Sequence, residues 1–240
     1  MMKTHFSPNL CDKTFLLDYN ADNIQSLIGV RDWSALNEYD RIGAVYDFVR
    51  DEILFGYNIQ DALPASHILK DGYGQCNTKA ILLMALFRAL NIACRLHGFT
   101  IKKELQRGVI PELIYPITPD NIIHSWVEIH YDDQWINLEG FILDRTYLSG
   151  LQNKFKGTTS LCGYGVGTNT LTSPDIYWRA KDTYIQKTGI NNDYGVFNTP
   201  DSFYKQYSQD LTPVKSFLYR TFLRHWMNAR VAKIRKKQLK

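Results

Sequence analysis

Along residues 39–53 the apolar positions Ile42, Val45, Val49 and Ile53 recur at steps of three and four, the spacing of one helix face. Asn37 stands where an N-cap is wanted. A second helical pattern opens at Cys76 and runs to about Leu90. Its second half, residues 81–90, is apolar on most faces, as in a central helix buried all round. Asn91 follows as a left-handed terminator. Between the two helices lie a loop with Pro64 and the turn signal Gly72-Tyr73-Gly74.

Residues 93–101 read as a strand, and residues 122–131 and 134–138 as two more joined by Asp132-Asp133, a hairpin signal. The loop before that hairpin carries Pro111, Pro116 and Pro119 and is too long for a passive connection. Elsewhere the pattern is weaker. Residues 1–36 look irregular, with one short helix near 23–28. Residues 161–170 are Gly-rich and suggest a flexible loop near the mouth of a site, residues 191–200 suggest turns, and residues 211–240 suggest a terminal helix.

With 240 residues, 45% of them hydrophobic and 13% aromatic, the chain can bury a substantial core, and a largely disordered protein is excluded. The longest unbroken apolar run, residues 81–87, is far short of the ~20 residues that span a bilayer. Residues 1–20 contain no apolar stretch of the secretory kind, since Asp12 and Asp18 interrupt them. Cys11, Cys76, Cys94 and Cys162 are too sparse for a disulfide framework, and none forms a C-x-x-C pair. A cytoplasmic location with free thiols is expected, and neither a metal nor an organic cofactor.

One of those thiols sits in an unusual place. Cys76 falls in the first turn of the buried helix, where the macrodipole favours a thiolate and free backbone N–H groups could hold an oxyanion. The preceding glycines would let a substrate backbone approach the sulfur. His124 lies on the alternating run Ile123-His124-Ser125-Trp126-Val127-Glu128-Ile129, on the same face as Trp126 if the pleat is regular. With the hairpin turn centred on Asp132 and Asp133, Glu139 falls opposite Trp126, one pleat from His124. A carboxylate there would accept the imidazole N–H. Thiol, imidazole and orienting carboxylate together make a nucleophile triad. Trp126 and Trp135 are expected to wall the site.

The order Gly-x-Cys at a helix start, His-x-Trp-x-Glu on a strand and Trp-x-x-Leu-acid on the next resembles the transglutaminase-like superfamily. The resemblance covers about residues 42–144, including the helix-to-strand junction at 86–95, and not residues 150–240. It implies an α+β, papain-like fold with the nucleophile helix packed on an antiparallel β-sheet. It also implies Cys76 as nucleophile, His124 as general base and later acid, and Glu139 as the orienting acid. That third residue is usually Asp in the family. The extra methylene of Glu139 shifts the carboxylate by about 1 Å, and Asp144 is the substitute if Glu139 points elsewhere. The substrate would be a protein, a peptide or a small amide or thioester, with water or an amine as acceptor. A catalytically inactive binding or scaffold protein is the alternative.

Other signals are weaker. Cys94 and His97 are three apart, which on a strand sends them to opposite faces. His67 and His130 stand in no recognisable pattern, and Gly163-x-Gly165-x-Gly167 lacks the G-K-[ST] ending of a phosphate loop. Charge, by contrast, changes the picture. The formal +4 divides into nine basic and no acidic residues over 211–240, and 19 basic against 24 acidic, net −5, over the preceding 210. This predicts a catalytic domain over 1–210 and a basic helical tail over 211–240. Leu218, Phe222, Trp226 and Met227 could form an apolar stripe on that tail, which could dock on the body, an acidic partner or an anionic membrane surface. Nucleic acid is not expected as a partner.

Overall fold

The computed structural model describes residues 10–209 and 211–236. Part of the N-terminal stretch read above, residues 1–9, and the tail residues Lys237 and Lys240 lie outside them. In chain order the regular elements are α1 (Asp22–Arg31), α2 (Glu38–Asp51), β1 (Leu54–Phe55), α3 (Ala65–Asp71), β2 (Tyr73–Gly74) and α4 (Cys76–Ala89). Then follow β3 (Cys94–Lys102), β4 (Asn121–Tyr131), β5 (Gln134–Leu138), α5 (Arg145–Lys154), β6 (Leu161–Gly163) and β7 (Val166–Thr168). The chain continues through β8 (Ile190–Phe197), α6 (Pro200–Gln206), α7 (Pro213–Leu218) and α8 (Arg224–Lys236). A π-helical turn, Tyr219–Leu223, joins the last two into one rod. No helix among the described residues is long and apolar enough to cross a membrane.

The core of the α+β fold is α4 packed against the four-stranded antiparallel sheet β5-β4-β3-β8. Every residue of α4 from Cys76 to Arg88 is buried, as its apolar composition requires. Its two internal cations donate to backbone carbonyls. Lys79 Nζ donates to the Arg50 and Ile142 oxygens at 3.1 and 3.0 Å, and Arg88 reaches those of Asp12, Cys94 and Asn198. Burial pushes the Lys79 ammonium down to about 7. Asn37 caps α2 by accepting from the Asp40 N–H, and Asn91 takes the left-handed conformation, φ 59°, after α4. The hairpin turn is built from Asp132 and Asp133, both at positive φ. Its register pairs Val127 with Leu138 and Glu128 with Asn137, as the turn arithmetic requires.

Two weakly patterned segments take other forms. Turns are expected over residues 191–200, but residues 190–197 form edge strand β8, antiparallel to β3. Polar Asn191, Asn192 and Asp193 hide that strand in the sequence, because an edge strand pairs through its backbone and leaves side chains to solvent. The Gly-rich segment is a hairpin, β6–β7, with Val166 fully buried. The backbone N–H groups of Tyr164, Gly165 and Gly167 donate to the Arg107, Leu105 and Ile185 carbonyls.

The sheet approaches α6 at Gly98, where a Cβ would lie 2.8–2.9 Å from two carbons of the buried Phe203 ring and nearer still to a third. Gly98→Ala is therefore expected to destabilise the protein by about 1–3 kcal/mol through overpacking, read as a lower urea midpoint with an unchanged slope.

Candidate active site

Cys76 begins α4 at the bottom of a cleft, 8% exposed. The approach to it is made by local packing. Gly72 ends α3 in the left-handed conformation, φ 68°. At Gly74 a Cβ would lie 2.6 Å from Thr78 Oγ1 and 2.9 Å from Lys79 Cγ. The second glycine is thus required by the first turn of α4, a different role from the substrate approach expected above. Thr78 Oγ1 accepts the Gln75 N–H at 3.0 Å and donates to Asn58 Oδ1 at 2.6 Å, which fixes the helix start.

His124 and Ser125 point to opposite faces of β4, as the pleat demands. Ser125 Oγ faces α4 and donates to Asn77 Oδ1 at 3.0 Å, while Asn77 Nδ2 donates to the Ile123 carbonyl at 3.1 Å. Asn77, next in sequence to Cys76, therefore clamps the cysteine's turn to the histidine's strand. On the other face Phe99 of β3 packs against both His124 and Trp126. Trp126 Nε1 donates to Asn137 Oδ1 at 3.0 Å, and the Arg95 guanidinium covers the Trp135 ring at 3.7 Å.

Glu139 follows β5 and is fully buried with His124. His124 Nε2 donates to Glu139 Oε1 at 2.9 Å. The other carboxylate oxygen accepts the backbone N–H groups of Ile185 and Gln186, both at 2.9 Å. The longer side chain is thus held at both oxygens and reaches the ring. Asp144 is committed elsewhere: it caps α5 through the Tyr147 N–H, accepts from the Phe55 N–H at 2.9 Å and pairs with Arg235.

With Nε2 taken by Glu139, Nδ1 is the histidine nitrogen left for Cys76, and it has no hydrogen-bond partner at bonding geometry. Burial alone would push the imidazole down. The neighbouring Cys76 sulfur and the Glu139 carboxylate outweigh it and raise the ring to about 10. Among the described residues no comparable pairing reaches the other thiols. Burial raises Cys94 to about 11, and burial likewise raises Cys11 and Cys162.

Several residues near the sulfur carry no motif in the sequence. The Tyr57 hydroxyl donates to Gln106 Oε1, and the Tyr204 hydroxyl is buried without a partner at bonding geometry. Burial holds both phenols well above their usual range, so they remain donors. Tyr57, Tyr204, Gln106 and Gln186 line the same cleft as Cys76, a cavity of about 710 Å³. Among the described residues no group of three or more His, Cys, Asp or Glu is placed to hold a metal.

The rod α7–α8 forms one wall of this cleft. Met227, Val231 and Ile234 of α8 are buried, while Leu218, Phe222 and Trp226 stay largely exposed. Asn228 brackets Tyr57 by accepting its N–H at 2.7 Å and donating to its carbonyl at 3.1 Å. Arg230 donates to the Gly108 and Ile110 carbonyls. Residues 213–236 therefore lie against the body and complete the site's surroundings.

A cysteine at the start of a buried helix, facing a histidine and an acid on an antiparallel sheet, defines a papain-like α+β protein. More narrowly, residues 31–140 match the model of the transglutaminase-like superfamily. A solved structure of a candidate cysteine protease from Cytophaga hutchinsonii is 18% identical, with a TM-score of 0.42 over 58% of this chain. The match spans 44% of that protein's length. No curated protein matches the chain.

Proposed function

We propose that the chain is a cysteine-dependent acyl-transfer enzyme acting on an amide or thioester carbonyl, with water or an amine as the final acceptor. Cys76 is the nucleophile, His124 the general base and then acid, and Glu139 the orienting carboxylate. The observation that carries this reading is the fully buried His124–Glu139 pair, which leaves Nδ1 unpartnered on a ring whose charge Cys76 favours. Such a pair can accept the thiol proton and return it to a leaving group.

Glu139 supports the reading further, because two backbone donors and the ring saturate it in an orienting position. An oxyanion formed at the sulfur would lie at the N-terminus of α4, near the Tyr57 and Tyr204 hydroxyls. Among the described residues no imidazole pairs with Cys94 or Cys162. An electrophilic acyl probe is therefore expected to label the wild-type protein at Cys76. Equal labelling of Cys76→Ala would overturn the assignment.

A further inference from the structure

The walls of the cleft above Cys76 are unlike its floor. At the floor stand amide and phenol groups: Gln75, Gln106, Gln186, Tyr57 and Tyr204. The lining also holds Ile114, Ile117 and Ile122 together with Leu218, Phe222 and Trp226 of the rod, each at least partly exposed. This apolar surface does not stop at the opening. Ile117 is 59% exposed, Phe222 67% and Trp226 52%, so it runs from inside the cavity out over its rim. A continuous exposed surface of this kind marks a place where an apolar partner is taken up.

The rod side of the cleft narrows the choice of occupant. An extended peptide needs backbone donors and acceptors from its host. The rod spends its own inside a helix and offers only side chains. An alkyl chain needs no such partners. Charge points the same way: Lys215 and Arg220 border the opening. Asp61, the one carboxylate in the lining among the described residues, accepts from Gln75 Nε2 and Asn77 Nδ2, each at 3.0 Å. Lys215 and Arg220 at the opening oppose the entry of a cationic amphiphile, and not that of an anionic or neutral one.

We infer that the cleft accepts a long alkyl chain, with its carbonyl end at Cys76 and its tail along the Ile117–Phe222–Trp226 wall, so that the group transferred is a long-chain acyl group. The reaction, though not the binding, rests on the function proposed above. In it Cys76 Sγ bonds to the carbonyl carbon as the bond to the leaving sulfur or nitrogen breaks. His124 carries the thiol proton to that leaving atom. Water then adds its hydroxyl to the carbon as the Sγ–carbon bond breaks, and its remaining proton returns to Sγ.

Binding can be separated from chemistry in the full-length Cys76→Ala protein, titrated calorimetrically with alkyl carboxylates from hexanoate to dodecanoate below their aggregation concentrations. Kd is expected to fall by up to about fourfold per added methylene until the cleft is filled. Dodecanoate should bind better than dodecyltrimethylammonium. Phe222→Asp in the same background should weaken dodecanoate at least tenfold. Val30→Asp, an exposed change on α1, should not.

Because Phe222 is exposed, an unchanged melting curve will separate lost binding from lost fold. Three results would each overturn the inference: affinity indifferent to tail length, equal effects of the Phe222 and Val30 changes, or tighter binding of a capped Leu/Ile hexapeptide than of dodecanoate. Tail-dependent binding without any acyl adduct on the wild-type protein would uphold the acyl-chain site and defeat the nucleophile assignment instead.

Discussion

Replacing His124 with alanine is expected to lower kcat/KM for acyl transfer by about 10²–10⁴-fold, the usual contribution of a positioned general acid–base. The variant removes the nitrogen that faces Cys76 but leaves Glu139 Oε2 bonded to the Ile185 and Gln186 N–H groups, so the carboxylate stays anchored. The same ring predicts a pH limb. Burial works against its charge, but Cys76 and Glu139 raise it to about 10, so the imidazolium that holds the thiol's proton persists to that pH. Activity should therefore fall as pH rises through about 10, when the ring can no longer protonate a leaving group. The sign for folding is the same. Relative to an ordinary histidine of about 6.5, the raised value contributes stability that is complete below about 6.5 and lost as pH rises through about 10. A pH–rate profile with no alkaline limb, or a His124→Ala variant with wild-type kcat/KM, would remove His124 from the mechanism.

The largest stability effect is expected at the other end of the chain. Arg235 of α8 pairs with Asp144, which is 1% exposed and also caps α5. Arg235→Ala would leave a buried carboxylate without its cation, a loss of about 3–5 kcal/mol in similar settings. Urea unfolding at neutral pH measures it directly. Acid titration supplies an independent check. Burial alone would raise Asp144, but the Arg235 guanidinium overrides it and holds the carboxyl at about 2. Against an unfolded value of about 3.9, this contributes about 2–3 kcal/mol above pH 4, lost as pH falls towards 2. In Arg235→Ala that acid limb should shrink. Since α8 also walls the cleft, the variant should weaken alkyl-carboxylate binding as well.

Much of the site could be read from local pattern. The apolar run of α4, the alternation of β4 and the Asp132-Asp133 turn fix where Cys76, His124 and Glu139 fall, because helix period, pleat and hairpin register are short-range rules. What the pattern could not reveal depends on backbone and distance. Glu139 is held by the amides of Ile185 and Gln186, groups that carry no side-chain signature. The partner of Asp144 lies 91 residues away. Strand β8 holds polar Asn191, Asn192 and Asp193 near its start, and its backbone pairing with β3 carries no local signature. The amphipathic stripe of the C-terminal rod was visible, but its buried half and its place over the cleft follow from tertiary packing alone. Asn77 is the exception: a polar residue beside the cysteine, at the start of an otherwise apolar helix, has to find a buried partner.

The central claim is that acyl groups pass through Cys76. Its most direct measurement is peptide-level mass spectrometry after brief exposure of the full chain to a long-chain acyl thioester, followed by acid quench. The account predicts one thioester-linked acyl group on the peptide containing Cys76, absent from Cys76→Ala and strongly reduced in His124→Ala. An acyl group found instead on exposed Cys162, or found undiminished in Cys76→Ala, would contradict it.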